Sequence, residues 1–388
     1  MWRHIASNFL TLLVVIVFLL GGAILWGQSQ FTSAGPLTGP MCLQVERGST
    51  MSAVSEDLEA QGAISNGAIF RIGVDYADKA HELKAGSWLL PDGASMSEIA
   101  DLITRGGAST CGTEVIYRIG VNSGEIEVRE LDPETNQFVE RAEFDPFDEA
   151  PRPRAYADVR ARADTRYRVS MAEGVTSWQV VNVLGQIDAL EGEVEAVPPE
   201  GSLAPDSYEF SAGDSRADIL TRMQNAQDER LAVAWAERDP GIPIETPEEA
   251  LILASIIEKE TGVASERPQV ASVFSNRLDR GMRLQTDPTV IYGITNGVGV
   301  LGRGIRQSEL RRATPYNTYV IDGLPPTPIA NPGEASLLAA VQPPETNLIF
   351  FVARTLDPRD GHNFAETLDE HNRNVAAYRE LERAAGNQ

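Results

Sequence analysis

Apolar residues fill positions 9–26 without a charge, a run of about 18 residues and near the minimum for a helix that crosses a bilayer. Beyond it the chain switches repeatedly between two periods. Short extended runs end at a glycine, and a Ser or Thr then opens a stretch of helical period. This unit occurs at Gly48-Ser49-Thr50-Met51, at Gly93-Ala94-Ser95-Met96 and at Gly174-Val175-Thr176-Ser177. In each, the hydroxyl residue stands where a helix N-cap belongs. Residues 65–80 read as a helix capped by Ser65, and 82–90 as a strand. Residues 113–121 alternate like a strand, and 124–128 with 137–139 suggest a hairpin around 132–136. An acidic, proline-containing linker follows at 145–153. Residues 166–172 resume as a strand, 218–236 as an amphipathic helix, 268–280 as a helix closed by Gly281, 346–353 as a buried strand and 371–382 as a helix. The mixture predicts an α+β protein: an N-terminal transmembrane helix, one or more small α/β modules, then a mixed α/β domain.

One predicted helix carries the chemistry. Residues 246–262 read TPEEALILASIIEKETG. Thr246 is the expected N-cap, Pro247 the first helical residue, and Glu249 the partner that completes a capping box. Gly262 after Thr261 is the expected stop. At about 100° per residue, Leu253, Ile256, Ile257 and Glu260 share one stripe, while Glu258 falls nearly opposite, beside Leu251 and Ala254. A Glu-Lys-Glu run is most often a solvated face. Glu260, however, lies in line with the aliphatic stripe, where desolvation raises a carboxyl's pKa. A carboxylic acid still protonated near neutrality is what glycosidic cleavage needs as its general acid.

The residues around that helix carry a resemblance. Leu253-Ala254-Ser255-Ile256-Ile257-Glu258-Lys259-Glu260-Thr261 continues into Val270-Ala271-Ser272-Val273-Phe274-Ser275-Asn276-Arg277-Leu278. Then come Gly281-Met282-Arg283-Leu284-Gln285-Thr286-Asp287-Pro288-Thr289-Val290-Ile291-Tyr292-Gly293, Pro315-Tyr316-Asn317-Thr318-Tyr319 and Gly323-Leu324-Pro325-Pro326. Together they closely resemble the endolytic murein transglycosylases, the MltG or YceG-like family of membrane-anchored enzymes that cut peptidoglycan glycan strands. The match is specific over 246–380 and weaker over 42–110 and 165–245. The Glu-Thr pair also looks like the Glu-Ser pair that ends the catalytic helix of other lytic transglycosylases, which places the catalytic role on Glu260.

The resemblance implies a layout: a cytoplasmic N-terminus and anchor at 1–27, a flexible tether at 28–41, a LysM-like module at 42–110, an insertion at 111–165 and a catalytic domain at 166–388. It implies sugar contacts from Gln285, Thr286, Asp287, Tyr316, Asn317 and Tyr319, and from Asp206 and Tyr208 in a Pro-Asp-Ser-Tyr segment. An Asx-turn and a core aromatic are the plainer readings of the last two. The expected reaction is lytic cleavage of MurNAc–GlcNAc β-1,4 bonds within strands. It leaves 1,6-anhydro ends, and the implied role is ending strand elongation beside peptidoglycan synthases. The alternatives are a hydrolytic muramidase and a non-catalytic glycan-binding scaffold of the cell-wall machinery.

Composition narrows the partners. The 388 residues carry a formal net charge of −23, a surface that repels nucleic acid and anionic headgroups. Arg3 precedes the apolar run and no Lys or Arg follows before Arg47. The positive-inside rule then puts the N-terminus in the cytoplasm and the body in the periplasm, held at the inner membrane. A leader cleaved near Ser33-Ala34-Gly35 is the competing reading, and the length of the run favours a retained anchor. Cys42 and Cys111 bracket the first module, and a bridge between them is open either way. The four histidines, His4, His81, His362 and His371, show no metal-ligand spacing, and no cofactor is expected. His362 is either a second acid/base or a histidine at a turn.

Overall fold

A computed structural model describes residues 2–386 except 47, 107–109, 161, 163 and 164, and of residues 2–9 the backbone alone. Arg47, used above in the charge asymmetry, lies outside the described residues. The chain is mixed α+β and divides into two compact units, one of Met1–Val115, Glu127–Glu143 and Ala150–Arg166, the other of Ile116–Ile126, Phe144–Glu149 and Tyr167–Gln388.

The first unit opens with a helix at Trp2–Thr32. Its segment Leu10–Thr32 is long and apolar enough to cross a membrane, and the large apolar side chains from Leu10 to Trp26 are exposed. The helix outruns the apolar stretch because Phe31 packs on Phe70, ring centroids 6.5 Å apart. The segment expected to be a loose tether is thus helical to Thr32. It is then bonded down: Gly35 N–H donates to the Gly93 carbonyl and Gly93 N–H to that of Leu37, each 3.0 Å.

Strand Met41–Val45 pairs antiparallel with Gly86–Leu90. Helices Met51–Ala60, Gly67–Tyr76 and Met96–Arg105 complete a core of Leu43, Leu58, Phe70, Leu90 and Ile99. Cys42 and Cys111 are disulfide-bonded, Cα atoms 5.8 Å apart, which answers the question the sequence left open. The second helix is capped by Asn66, whose carboxamide oxygen accepts from Ile69 N–H at 3.0 Å, and not by Ser65. The Gly124–Asp132 and Gln137–Phe144 strands are neighbours and longer than expected, with Asn136 turning the hairpin at a φ of 52°. A short helix at Arg154–Arg160, held by Tyr156 N–H on the Pro153 carbonyl, had no sequence signal.

In the second unit, strand Arg166–Met171 pairs antiparallel with Ser207–Phe210. The three glycine-then-hydroxyl units all form as read. Thr50, Ser95 and Thr176 cap their helices. Gly48, Gly93 and Gly174 turn the chain before them at φ of 84°, 64° and 79°, a region that only glycine enters freely. The core gathers around helix Pro247–Glu260, which packs against Arg267–Asp279 and Glu334–Val341 through Leu253, Ile256, Ile257, Phe274, Leu337 and Val341. The expected single stripe is too narrow: Ala250 and every residue from Ile252 to Ile257 are buried, so this is a core helix, apolar nearly all round. Three helices of this unit have no counterpart in the sequence reading: Asp287–Thr295, Gln307–Leu310 and Glu334–Val341, the last following a Gly333 that supplies no side-chain cap. The strand expected at 346–353 is shorter, Phe350–Ala353, and half-buried.

Candidate active site

Helix Pro247–Glu260 presents its last residue to the site. Thr246 caps it, accepting from Glu249 N–H at 3.2 Å. The Glu249 carboxylate accepts instead from Glu245 N–H at 2.6 Å, so only half of the expected box forms. The stop also differs from expectation. Thr261 leaves the helix in an extended conformation, its hydroxyl accepting from Val263 N–H at 3.0 Å, and Gly262 is not left-handed. The turn is made by the threonine that follows Glu260. That hydroxyl also reaches Glu266 at 3.5 Å.

Glu260 is partly exposed and accepts a hydrogen bond at Oε1 from the hydroxyl of buried Thr286. Thr286 is itself fixed, its N–H donating to Thr318 Oγ1 at 3.0 Å. On either side of it Gln285 and Asp287 are exposed. Gln285 takes a left-handed φ of 50°, and its N–H donates to the Thr318 carbonyl at 3.1 Å. A non-glycine residue held there is strained, which marks it as a place where local geometry is imposed. Asp287 opens the next helix and accepts from the Tyr319 phenol at 2.7 Å.

Burial pushes the Glu260 carboxyl up to about 7, Thr286 pulls it down through its hydrogen bond, the Asp287 charge raises it, and the Arg277 charge lowers it. Arg277 is the residue that sequence reasoning undervalued. It is 7% exposed, donates from Nε to the Ile349 carbonyl at 2.7 Å and from a terminal nitrogen to the Leu284 carbonyl at 2.6 Å. Burial lowers its pKa, while Glu260 and Tyr319 favour its charged form. The signal was in the pattern, since Arg277 falls on the same side of its helix as Val270, Val273 and Phe274. A cation on an apolar face is a buried charge with a task.

Chemically, this is one carboxyl poised between protonation states, with a second carboxylate, a phenol and an exposed carboxamide beside it. A sequence model described as the YceG-like family matches residues 43–377. The chain belongs to the YceG-like family. The endolytic murein transglycosylase of Bacillus subtilis (strain 168) is 27% identical over 362 residues, covering 93% of this chain and 91% of that protein. The protein of the same name from Streptococcus pneumoniae (strain R6) is 24% identical over 386 residues. It matches 97% of this chain, which spans 66% of the pneumococcal protein's length. A YceG-like protein of Listeria monocytogenes aligns over 87% of this chain and 99% of its own at 24% identity, with a TM-score of 0.42.

The residues that the family resemblance nominated separate into groups. Glu260, Gln285, Thr286, Asp287 and Tyr319 come together. Tyr316 sits apart on Tyr292, ring centroids 5.0 Å away, and its hydroxyl pairs with Thr327 at 2.7 Å. Asn317 is 1% exposed. Its amide donates to the carbonyls of Glu309, Leu310 and Arg312, and its oxygen accepts from Tyr319 N–H at 3.1 Å. Buried and tied to three carbonyls in this way, the side chain holds a loop. Asp206 is exposed and paired with Arg230 at 2.6 Å. Tyr208 is buried, its hydroxyl donating to the Ala204 carbonyl at 2.8 Å, and burial pushes it up to about 12. His362 is bound through Nδ1 to Glu266 at 2.9 Å, and its N–H donates to the other oxygen of that carboxylate at 2.8 Å. That is the fastening of a strand end.

Proposed function

We propose that this chain is a membrane-anchored endolytic peptidoglycan lytic transglycosylase with Glu260 as its acid and base. The observation that carries the reading is the Glu260 carboxyl, brought near neutrality by burial yet still reachable from solvent. The names of the Bacillus and Streptococcus relatives support the substrate and the reaction class. In the first step the Glu260 proton passes to the glycosidic oxygen as the MurNAc C1–O4 bond breaks. In the second the Glu260 carboxylate takes the proton from the muramoyl O6 hydroxyl, and O6 bonds to C1. The product is a 1,6-anhydro end and the carboxyl is restored, with no water consumed. A proton donor whose pKa matches working pH can both give and take.

Thr286 holds one carboxyl oxygen and leaves the other for this traffic. Arg277, Gln285, Asp287 and Tyr319 surround the reacting region with charge and hydrogen-bonding groups. Asn317 is a positioning residue in this reading. Tyr316 and Asp206 are assigned to the walls of the glycan path, and buried Tyr208 to the packing behind them. The helix Trp2–Thr32 would hold the catalytic body at the periplasmic face of the inner membrane with the N-terminus in the cytoplasm. There the enzyme meets newly made strands and their synthases, and its cuts end elongation. The module of residues 42–110 is read as LysM-like, bracing or touching glycan.

A specific observation keeps a second reading alive. Asp287 lies next to Thr286 and acts on the charge of Glu260, so a muramidase that activates water with Asp287 is the rival. A binding scaffold is the non-enzymatic rival. The deciding experiment digests purified peptidoglycan with the full chain in detergent, beside Glu260→Gln and Glu258→Gln, with mass spectrometry of the products. Internal fragments with anhydro ends, lost in Glu260→Gln by about 10³-fold or more and retained in Glu258→Gln, are expected. Reducing ends transfer the assignment to the muramidase, and no difference between wild type and Glu260→Gln removes Glu260 from it.

A further inference from the structure

The surface charge of this chain is not evenly spread. Across 388 residues the formal net charge is −23, yet residues 303–312 hold four arginines, Arg303, Arg306, Arg311 and Arg312, against one acid, Glu309. Arg303 is neutralised by a two-pronged pair with Glu309, at 2.6 and 2.9 Å. Arg306, Arg311 and Arg312 are exposed, and none of them forms an ion pair among the described residues. In a protein that otherwise repels anions, three unneutralised guanidinium groups on one short turn form a local positive site.

The turn is also built into the catalytic centre's own framework. The Asn317 amide donates to the carbonyls of Glu309, Leu310 and Arg312 at 3.1, 3.2 and 2.7 Å. Its oxygen accepts from Tyr319 N–H, and the Tyr319 phenol donates to Asp287. One buried carboxamide therefore joins the arginine turn to the residue pair beside Glu260. Arg311 donates to the Gln307 side-chain oxygen at 3.4 Å, a neutral partner, so the three positive charges are not balanced by a second acid within the turn.

We infer that Arg306, Arg311 and Arg312 form a subsite for carboxylates carried by the substrate, the peptide stems attached to the muramic acid residues of the glycan strand. The inference rests on the peptidoglycan reading above. A strand stripped of its peptides keeps one lactyl carboxylate per muramic acid, held against the sugar ring; the stem peptides carry several carboxylates per repeat, farther from the backbone. Guanidinium groups match carboxylates in shape as well as sign. The subsite would make a peptide-bearing strand a better substrate than a bare one and would set which stretch of strand lies across Glu260.

The test compares peptide-bearing strands with strands stripped of peptides by an amidase, using the full chain in detergent. The variant Arg306→Ala/Arg311→Ala/Arg312→Ala should lose about tenfold in kcat/KM on peptide-bearing strands, the scale expected of a few exposed charge pairs. Turnover of stripped strands should stay within about twofold, and the triple Lys variant should recover much of the loss, because the charge persists. Raising salt should erase the wild-type preference. Equal losses on both substrates, or no loss on either, overturn the inference. So does a defect that shows only when vesicles of anionic phospholipid are present, which would assign the arginines to the membrane surface. Co-sedimentation of the Glu260→Gln chain with the two kinds of strand separates this inference from the parent reading. Preferential retention of peptide-bearing strands, lost on removing the three arginines, supports the subsite even where neither substrate is cleaved.

Discussion

Two carboxylates two residues apart end the Pro247–Glu260 helix, and the two faces of that helix treat them in opposite ways. The Glu258 side chain is 5% exposed and fully engaged. It pairs with Arg267 at 3.2 Å and accepts from Gly333 N–H at 3.1 Å and from the Ser336 hydroxyl at 2.7 Å. Glu260 receives one side-chain donor, the Thr286 hydroxyl, in a dry setting with the Asp287 charge beside it. Burial is common to both; the supply of donors is not. A carboxylate saturated with donors can fasten one helix to another. A carboxyl that is desolvated but under-supplied hovers near neutrality and can pass a proton.

The comparison breaks most visibly at Glu258. Glu258→Ala takes one of two carboxylate partners from a buried guanidinium and leaves two polar donors unpaired, and should destabilise the full chain by about 3 kcal/mol. That is the low end for a buried pair, because Arg267 keeps Glu173 at 3.0 Å. Chemical denaturation in detergent measures it. Lost cleavage with unchanged stability in this variant would exchange the roles given to the two glutamates.

Glu260 should show a stability effect of the opposite sign, of similar or smaller size. Its carboxyl is raised in the folded chain from 4.5 to about 7, so folding favours the protonated form. Below about pH 4.5 the group is protonated folded or unfolded and has no effect on stability. Between 4.5 and 7 its effect becomes progressively more unfavourable, and above 7 it destabilises by about 3 kcal/mol. Glu260→Gln removes the titration. The variant should therefore gain on wild type between pH 4.5 and pH 8 by that amount. A stability difference that is flat across this range would mean that Glu260 is not raised at all.

Much of this was legible in the residues, for physical reasons that also mark where legibility ended. The three glycine-then-hydroxyl units announced themselves because a cap is a local interaction, decided within four residues. Cap identity was less secure where two polar residues compete, as at Ser65 and Asn66. Helix Asp287–Thr295 was hidden because its start, Thr286-Asp287-Pro288, is equally good turn chemistry. Helix Glu334–Val341 was hidden because Gly333 offers its N-terminus no side chain. At the site, the phase of Glu260 along its helix only pointed toward it, and the motifs around the helix made the nomination; the helix is buried nearly all round, so phase alone separates its two last glutamates poorly. The engagement of Glu258 was not readable, since its partners Gly333 and Ser336 lie 75 and 78 residues away. Asn317 shows the same limit. A polar residue among aromatic neighbours looks like a sugar ligand until the three carbonyls that occupy its amide are seen.

The finest test acts on the single donor that Glu260 has. Thr286→Val keeps the branched shape and the buried position but removes the hydroxyl. That hydroxyl favours the carboxylate, so its loss should raise the Glu260 pKa further, by about one unit if the bond is worth ~1.5 kcal/mol, the low end for a charged acceptor. The alkaline limb of the pH–rate profile, where the general acid is lost, should move up by the same interval. Turnover at the optimum should fall, because the returning base is formed less readily and its carboxyl is no longer held by one oxygen. Thr286→Ser retains the donor and should leave the limb in place. A role confined to packing predicts the reverse pattern, with Ser, which loses the methyl group, more damaging than Val and the limb unmoved in both. An alkaline shift in Val alone assigns the hydroxyl to the proton and completes the contrast with Glu258, whose donors fasten one helix to the next.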